Sequence, residues 1–149
     1  MIAVEAICLV AAVVVAWFVL SIDRAPTRTP PDEATAFSTF LTHVKGELPT
    51  LYSLTSAYAT DAGQGSVAAF NDAAAVRAWA KGEAAWLDGA QTAACFAGAF
   101  TQWEEVRQYA DLFAADALAG RYAQSTAEFD QMNNLATTAP TAFGAVSCP

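Results

Sequence analysis

The only histidine of the chain, His43, stands four residues before Glu47, a spacing that places both side chains on one face of a helix. An imidazole and a carboxylate on one face can begin a metal site, but such a site needs three or four ligands. The neighbouring sequence offers no further ligand. We therefore expect His43 to be a surface histidine near the C-terminal end of its helix, and we predict no metal site and no cofactor.

Two further patterns carry polar groups but predict no reaction. Glu104 and Glu105 are adjacent on a predicted helix, so their carboxylates point in different directions and do not form an acid–base pair. The run from Gly63 to Ser66 looks like an anion-binding turn before a helix, but it has neither the lysine of a P-loop nor a preceding strand. We interpret it as a turn with an N-cap, and we predict that the protein is not an enzyme.

Three cysteines, Cys8, Cys95 and Cys148, bear on the compartment. A cysteine next to the last residue often ties an irregular tail to a helix in an oxidising compartment, so Cys95 and Cys148 are a candidate disulfide. This bridge would close a loop of ~50 residues and add ~4 kcal/mol in the chain-entropy model. The alternative is that the two cysteines are unrelated buried thiols.

The chain begins with a long apolar run, from Ile2 to Ile22, that contains one charged residue, Glu5. As a helix this run would be about 31 Å long at ~1.5 Å per residue, which matches the hydrocarbon core of a bilayer. A cleaved secretory signal would have a basic start and a small-residue cleavage site. Here no base precedes the run and a proline follows Ala25. We therefore predict a single transmembrane anchor over residues 1–22.

The charges beside the anchor leave its orientation open. Arg24 and Arg28 follow the run and favour a cytoplasmic domain by the positive-inside rule. The candidate disulfide favours an extracytoplasmic domain (periplasmic, lumenal or extracellular), and this is the orientation we expect. The net charge of −8, without any Lys/Arg cluster, argues against nucleic acid as a partner.

The rest of the chain divides into a linker and a domain. Residues 23–31 contain three prolines and predict a stiff, extended linker. Residues 32–149 are rich in alanine and have apolar residues at steps of three and four, which predicts an all-α, antiparallel bundle of about four helices with an irregular C-terminal tail. The side chains expected to face the core are Phe37, Phe40, Leu41, Val44, Leu48, Phe70, Ala73, Val76, Ala80, Leu87, Phe96, Phe100, Trp103, Ala110, Phe113, Ala117, Tyr122, Phe129, Met132 and Leu135 or Ala136.

Five residues predict where these helices begin and end. Asp32 is expected to cap the first helix, and Gly120 to end the third. Pro49 is expected to end its helix or to kink it, in which case the helix continues after it as a second piece, and Pro140 is expected to end the last helix, because proline removes a backbone donor. Ser125 is expected to open the last helix in a capping box.

Within the anchor, three residues are candidates for contact with a partner helix. Ala12 and Ala16 form a small-xxx-small pair that lets two helices approach closely. Glu5 lies only about 6 Å from the helix start, given a rise of ~1.5 Å per residue. Its carboxylate therefore either reaches the headgroup level or pairs with a base or free amine on a neighbouring helix.

The first five residues, MIAVE, followed by an unbroken apolar helix, resemble the mature start of a type IV pilin. This resemblance implies a filament in which the acid at position five pairs with the N-terminal amine of the adjacent subunit. It also implies a disulfide near the C-terminus, which Cys95 and Cys148 would supply. The Pro-rich linker and the helical pattern of the domain depart from the continued helix and β-sheet of that family.

Taken together, the patterns predict a non-catalytic, single-pass accessory subunit of a larger membrane complex, of the kind found in respiratory or photosynthetic assemblies. Its expected partners are other membrane protein subunits and the lipid bilayer, and its helical domain is expected to brace a partner on the extracytoplasmic side. The alternative is a pilin-like filament subunit that assembles through its N-terminal helix and Glu5.

Overall fold

The computed structural model describes residues 32–149, and the predicted anchor and linker, with Glu5, Ala12 and Ala16, lie outside the described residues. Within them the chain forms four α-helices and no β-strand. The helices are α1 (Glu33–Gly63), α2 (Ala68–Gly89), α3 (Ala97–Leu118) and α4 (Tyr122–Gly144), with a 3₁₀ turn over Ala94–Phe96. The predicted all-α bundle of four helices is confirmed for this part. Every helix in it falls short of the combined length and apolar character that crossing a bilayer requires.

Each helix runs antiparallel to the next. Near the start of α1, Phe40 lies 5.5 Å (ring centroids) from Phe143 at the end of α4. Near the end of α3, Phe113 lies 5.5 Å from Phe129, which belongs to the first half of α4. The bundle therefore has two ends. We name the end where α1 begins and α4 finishes the disulfide end, and the end with the α1–α2 and α3–α4 turns the glycine end.

The glycine end closes with two Schellman motifs. Gly65 (φ 65°) and Gly120 (φ 74°) adopt the left-handed conformation that glycine tolerates without strain. In each motif the next residue's amide bonds back to the third-last residue of the helix. These bonds join Ser66 N–H to Asp61 O and Arg121 N–H to Asp116 O, both at 2.8 Å. The predicted stop at Gly120 is confirmed, whereas α1 continues through part of the predicted turn and ends at Gly63.

The prediction that Pro140 ends its helix is wrong, because Pro140 lies inside α4. Pro49 likewise lies inside α1, so it does not end that helix. An interior proline costs about 3 kcal/mol. Here large apolar side chains are buried within one turn of each proline, Leu51 after Pro49 and Phe143 after Pro140. Burial of such a side chain contributes roughly 1.5–3 kcal/mol, which offsets most of the cost of the lost hydrogen bond.

Two other expectations about local structure are resolved. Asp32 caps α1 as predicted, since its Oδ1 accepts a 2.7 Å hydrogen bond from the Thr35 amide. That bond lowers the pKa of Asp32. The prediction of a capping box at Ser125 is wrong, because α4 already begins at Tyr122. The buried Ser125 hydroxyl instead donates a 3.1 Å hydrogen bond to the carbonyl of Phe113.

Most of the predicted core residues are buried or packed against the core, with Trp103, Phe40, Phe113 and Val76 among the least exposed. Two of them are not. Phe70 and Tyr122 are 58% and 68% exposed, so their predicted inward orientation is wrong. Both lie in the first turn of their helices, at the glycine end of the bundle.

Candidate functional site

The disulfide end carries a covalent bond between Cys95 and Cys148, with Cα atoms 5.4 Å apart. Cys95 lies in the 3₁₀ turn before α3, and Cys148 lies four residues beyond the end of α4. The bond therefore ties the C-terminal tail to the start of α3, as the cysteine positions predicted.

A buried polar cluster lies between α1, α2 and α3. At its centre the Glu83 carboxylate of α2 is 4% exposed. His43 Nε2 lies 2.9 Å from Glu83 Oε1 and 3.0 Å from Oε2, and the Trp103 indole N–H donates to Oε2 at 2.9 Å. A carboxylate taken out of water is costly unless it is paired and hydrogen-bonded, and these contacts meet both needs.

Three more side chains, Glu47, Trp79 and Trp86, complete this cluster, which we name the His–Glu cluster (His43, Glu47 and Glu83 with Trp79, Trp86 and Trp103). The Trp79 indole N–H donates to Glu47 Oε2 at 2.8 Å. The Trp86 ring stacks on the His43 ring, with centroids 3.6 Å apart and planes 2° apart. Ligand atoms of His43, Glu47 and Glu83 all lie within 4.8 Å of one another.

The structure contradicts the expectation that His43 is a surface histidine near a helix C-terminus. It lies in the first half of α1, and its side chain is 18% exposed. The third member of this set, Glu83, was missed because it comes from a different helix. A signal for it exists in α2, where the buried residues Ala73, Val76, Ala80 and Leu87 follow alternating steps of three and four that leave position 83 as the next inward position.

The glycine end is exposed and apolar. Val67 (88% exposed), Phe70 (58%) and Tyr122 (68%) form a surface that we name the glycine-end patch. These three side chains line a groove of about 710 Å³ together with Tyr58, Ala62 and others. Large side chains at such exposures on adjacent turns mark an interaction surface more often than isolated exposed residues do.

Acidic groups near the same end have perturbed ionisation. Partial burial, together with a hydrogen bond to the Asp61 carboxyl and repulsion from it, raises the pKa of Asp72. Burial and the nearby Asp116 carboxylate raise the pKa of Glu128, and Arg121 partly opposes this. Arg121 itself is held by an ion pair with Asp116, which raises its own pKa. The ionised forms of Asp72 and Glu128 at the glycine end are therefore destabilised by burial and by neighbouring carboxylates.

The other candidate groups from the sequence make local hydrogen bonds. Glu104 accepts a 3.3 Å hydrogen bond from Gln108, the residue one turn later, as expected for a solvated helix face. Ser66 Oγ accepts from the Ala68 amide at 3.1 Å, so the turn after Gly63 does serve as a cap. No protein-family model, no curated protein and no solved structure matches this chain.

Proposed function

We propose that the protein is a non-catalytic, single-pass accessory subunit of a larger membrane complex, whose bundle docks on a partner subunit through the glycine-end patch. The observation that carries this proposal is the patch itself, with Phe70 and Tyr122 exposed at the end opposite the disulfide. The bundle begins at the disulfide end, where α1 starts, and the patch lies at the opposite end of the bundle.

The charge of the bundle indicates the chemistry of its partner. The two acids and two bases of residues 1–31 cancel, so the whole net charge of −8 belongs to residues 32–149. A basic side chain of the partner, placed beside Asp61 and Asp72 at the glycine end, would reduce the repulsion between these two carboxylates. The proposed partner is therefore a protein subunit with an apolar surface flanked by Lys or Arg, because complementary charge guides association and fixes register.

The disulfide supports an extracytoplasmic location for the bundle, since such bonds persist in oxidising compartments. In this proposal Glu5, Ala12 and Ala16 of the predicted anchor contact a neighbouring helix. We propose no reaction for the bundle, because its exposed features are apolar surface and solvated acids.

Site-specific photocrosslinking in intact cells tests the proposal. A photoreactive residue at Phe70 should crosslink to one other membrane protein, and Phe70→Glu or Tyr122→Glu should abolish co-purification of that protein in mild detergent. Leu112, which is 48% exposed outside the patch, supplies the matched control for both the crosslinker and the Glu substitution.

Two outcomes contradict the proposal. Absence of any crosslink at position 70, or equal loss of the partner in Leu112→Glu, would show that the patch does not dock. Crosslinks between identical chains, together with complete loss of assembly in Glu5→Ala, would instead support the filament alternative. In an accessory subunit, Glu5→Ala is expected only to weaken association.

A further inference from the structure

We propose that His43, Glu47 and Glu83 bind a divalent transition-metal cation of the zinc class. The first argument is the ligand set: one imidazole nitrogen and two carboxylate oxygens, from α1 and α2, with all three ligand atoms within 4.8 Å of one another. Three protein ligands with a water in the fourth position is a recurring arrangement for Zn²⁺. This inference stands independently of the docking role.

The ligand separations fit one shared ion. Ligands about 2.0 Å from a tetrahedral ion are roughly 3.3 Å from each other. His43 Nε2 lies 2.9 Å from Glu83 Oε1, so a small opening of this pair admits the ion. Glu47 lies one helical turn after His43 on the same face and closes the third side.

Two tryptophans orient the carboxylates as outer ligand partners do. Trp79 donates to Oε2 of Glu47 and Trp103 donates to Oε2 of Glu83, at 2.8 Å and 2.9 Å. Each indole bond is made to Oε2, and the Oε1 atom of Glu83 lies 2.9 Å from His43 Nε2, the nitrogen that would bind the ion. Hydrogen bonds of this kind fix ligand orientation and typically change metal affinity 10–100-fold when removed.

The histidine ring is also held in one orientation before an ion binds. Trp86 stacks flat on it at 3.6 Å, which limits rotation of the ring and keeps Nε2 directed at the carboxylates. A ligand already in its bound orientation loses little entropy on binding. A groove of about 380 Å³, lined by His43, Trp86, Ser38, Thr39 and Thr42, provides an entry path from the surface.

The formal charge of the ligand set suits a dication, because two ionised carboxylates carry two negative charges. The mixed nitrogen and oxygen set suits zinc-class ions, while Mg²⁺ and Ca²⁺ prefer sites made of oxygen alone. Glu83, at 4% exposure, is the ligand for which this charge compensation matters most.

The test uses the full-length protein in mild detergent, stripped with a chelator and titrated with Zn²⁺ by calorimetry and with Co²⁺ by visible absorption. We expect one ion per chain, a rise in Tm, and quenching of tryptophan fluorescence by Co²⁺ because Trp86 stacks on a ligand. His43→Gln and Glu83→Gln should each weaken binding at least tenfold, and Trp79→Phe by roughly 10–100-fold. Glu105→Gln, on an exposed part of α3, is the control and should leave affinity unchanged.

Either of two results would overturn the site. One is the absence of a Co²⁺ absorption band and of any Tm rise in the wild-type protein. The other is wild-type affinity in both His43→Gln and Glu83→Gln. Should a variant fail to fold, the wild-type spectrum still decides, since ligation by one nitrogen and two carboxylates must produce a Co²⁺ band and quench tryptophan emission together.

Discussion

Removal of the Cys95–Cys148 bond should strongly destabilise the bundle, and the size of the effect follows from the loop that the bond closes. The two cysteines are 53 residues apart in sequence. In the chain-entropy model a loop of this length contributes about 4 kcal/mol, because the bond restricts the unfolded chain. For a domain of this size that corresponds to a fall in Tm of roughly 15 °C, taking about 4 °C per kcal/mol.

The assay is urea unfolding of the full-length protein in mild detergent, followed by tryptophan fluorescence. Cys95→Ala, Cys148→Ala and the double variant should lose the same free energy of unfolding, because either single change already opens the loop. Cys8→Ala lies outside the loop and is the matched control. Iodoacetamide labelling of the unreduced protein should leave Cys95 and Cys148 unmodified.

An unchanged unfolding midpoint in the double variant would refute this reasoning. It would mean that the unfolded chain is restrained by something other than the bond, or that the bond is absent in the folded protein. The labelling experiment separates these two cases, since a missing bond exposes two additional thiols. Clearly unequal losses in the two single variants would point to packing at Cys95 or Cys148 rather than to loop entropy.

Three further predictions concern stability. Leu51→Ala, at a side chain with 0% exposure, should cost about 2–5 kcal/mol in urea unfolding, while Leu112→Ala at 48% exposure should cost less than about 0.5 kcal/mol; equal losses would contradict the core assignment. Ser125→Ala should cost about 1 kcal/mol, since the Phe113 carbonyl loses a buried hydroxyl donor, and no change would mean that this bond contributes nothing. The raised pKa of Asp72 means that the folded state holds its proton more tightly, so stability falls as pH rises from 3.8 through the raised pKa. Asp72→Asn should therefore raise Tm at pH 7 and lose this advantage below pH 3.8, unlike the exposed control Asp130→Asn.

Periodicity predicted the helices and most of the core, because burial of an apolar stripe dominates helix stability in a small bundle. It did not predict the continuation of α4 through Pro140, and it left open whether Pro49 ends or kinks α1. The local cost of proline is visible in the sequence, whereas the burial of Leu51 and Phe143 that offsets it exists only after the helices pack. The exposure of Phe70 and Tyr122 was missed for a related reason. An apolar stripe in the sequence does not show which of its residues a neighbouring helix will cover.

The His–Glu cluster shows what a single sequence pattern cannot contain. His43 and Glu47 are neighbours on one helix and were found together, but their partner Glu83 is 40 residues further along the chain from His43. The only sign of Glu83 in the sequence is that a charged residue occupies the inward-facing position between Ala80 and Leu87. A buried carboxylate makes the fold less stable than an apolar side chain of similar size would at the same position. Its presence there is therefore better explained by a purpose other than stability. This loss of stability, together with two indole N–H donors that hold the carboxylates in place, is the reason to expect a bound cation here rather than a histidine ion pair alone.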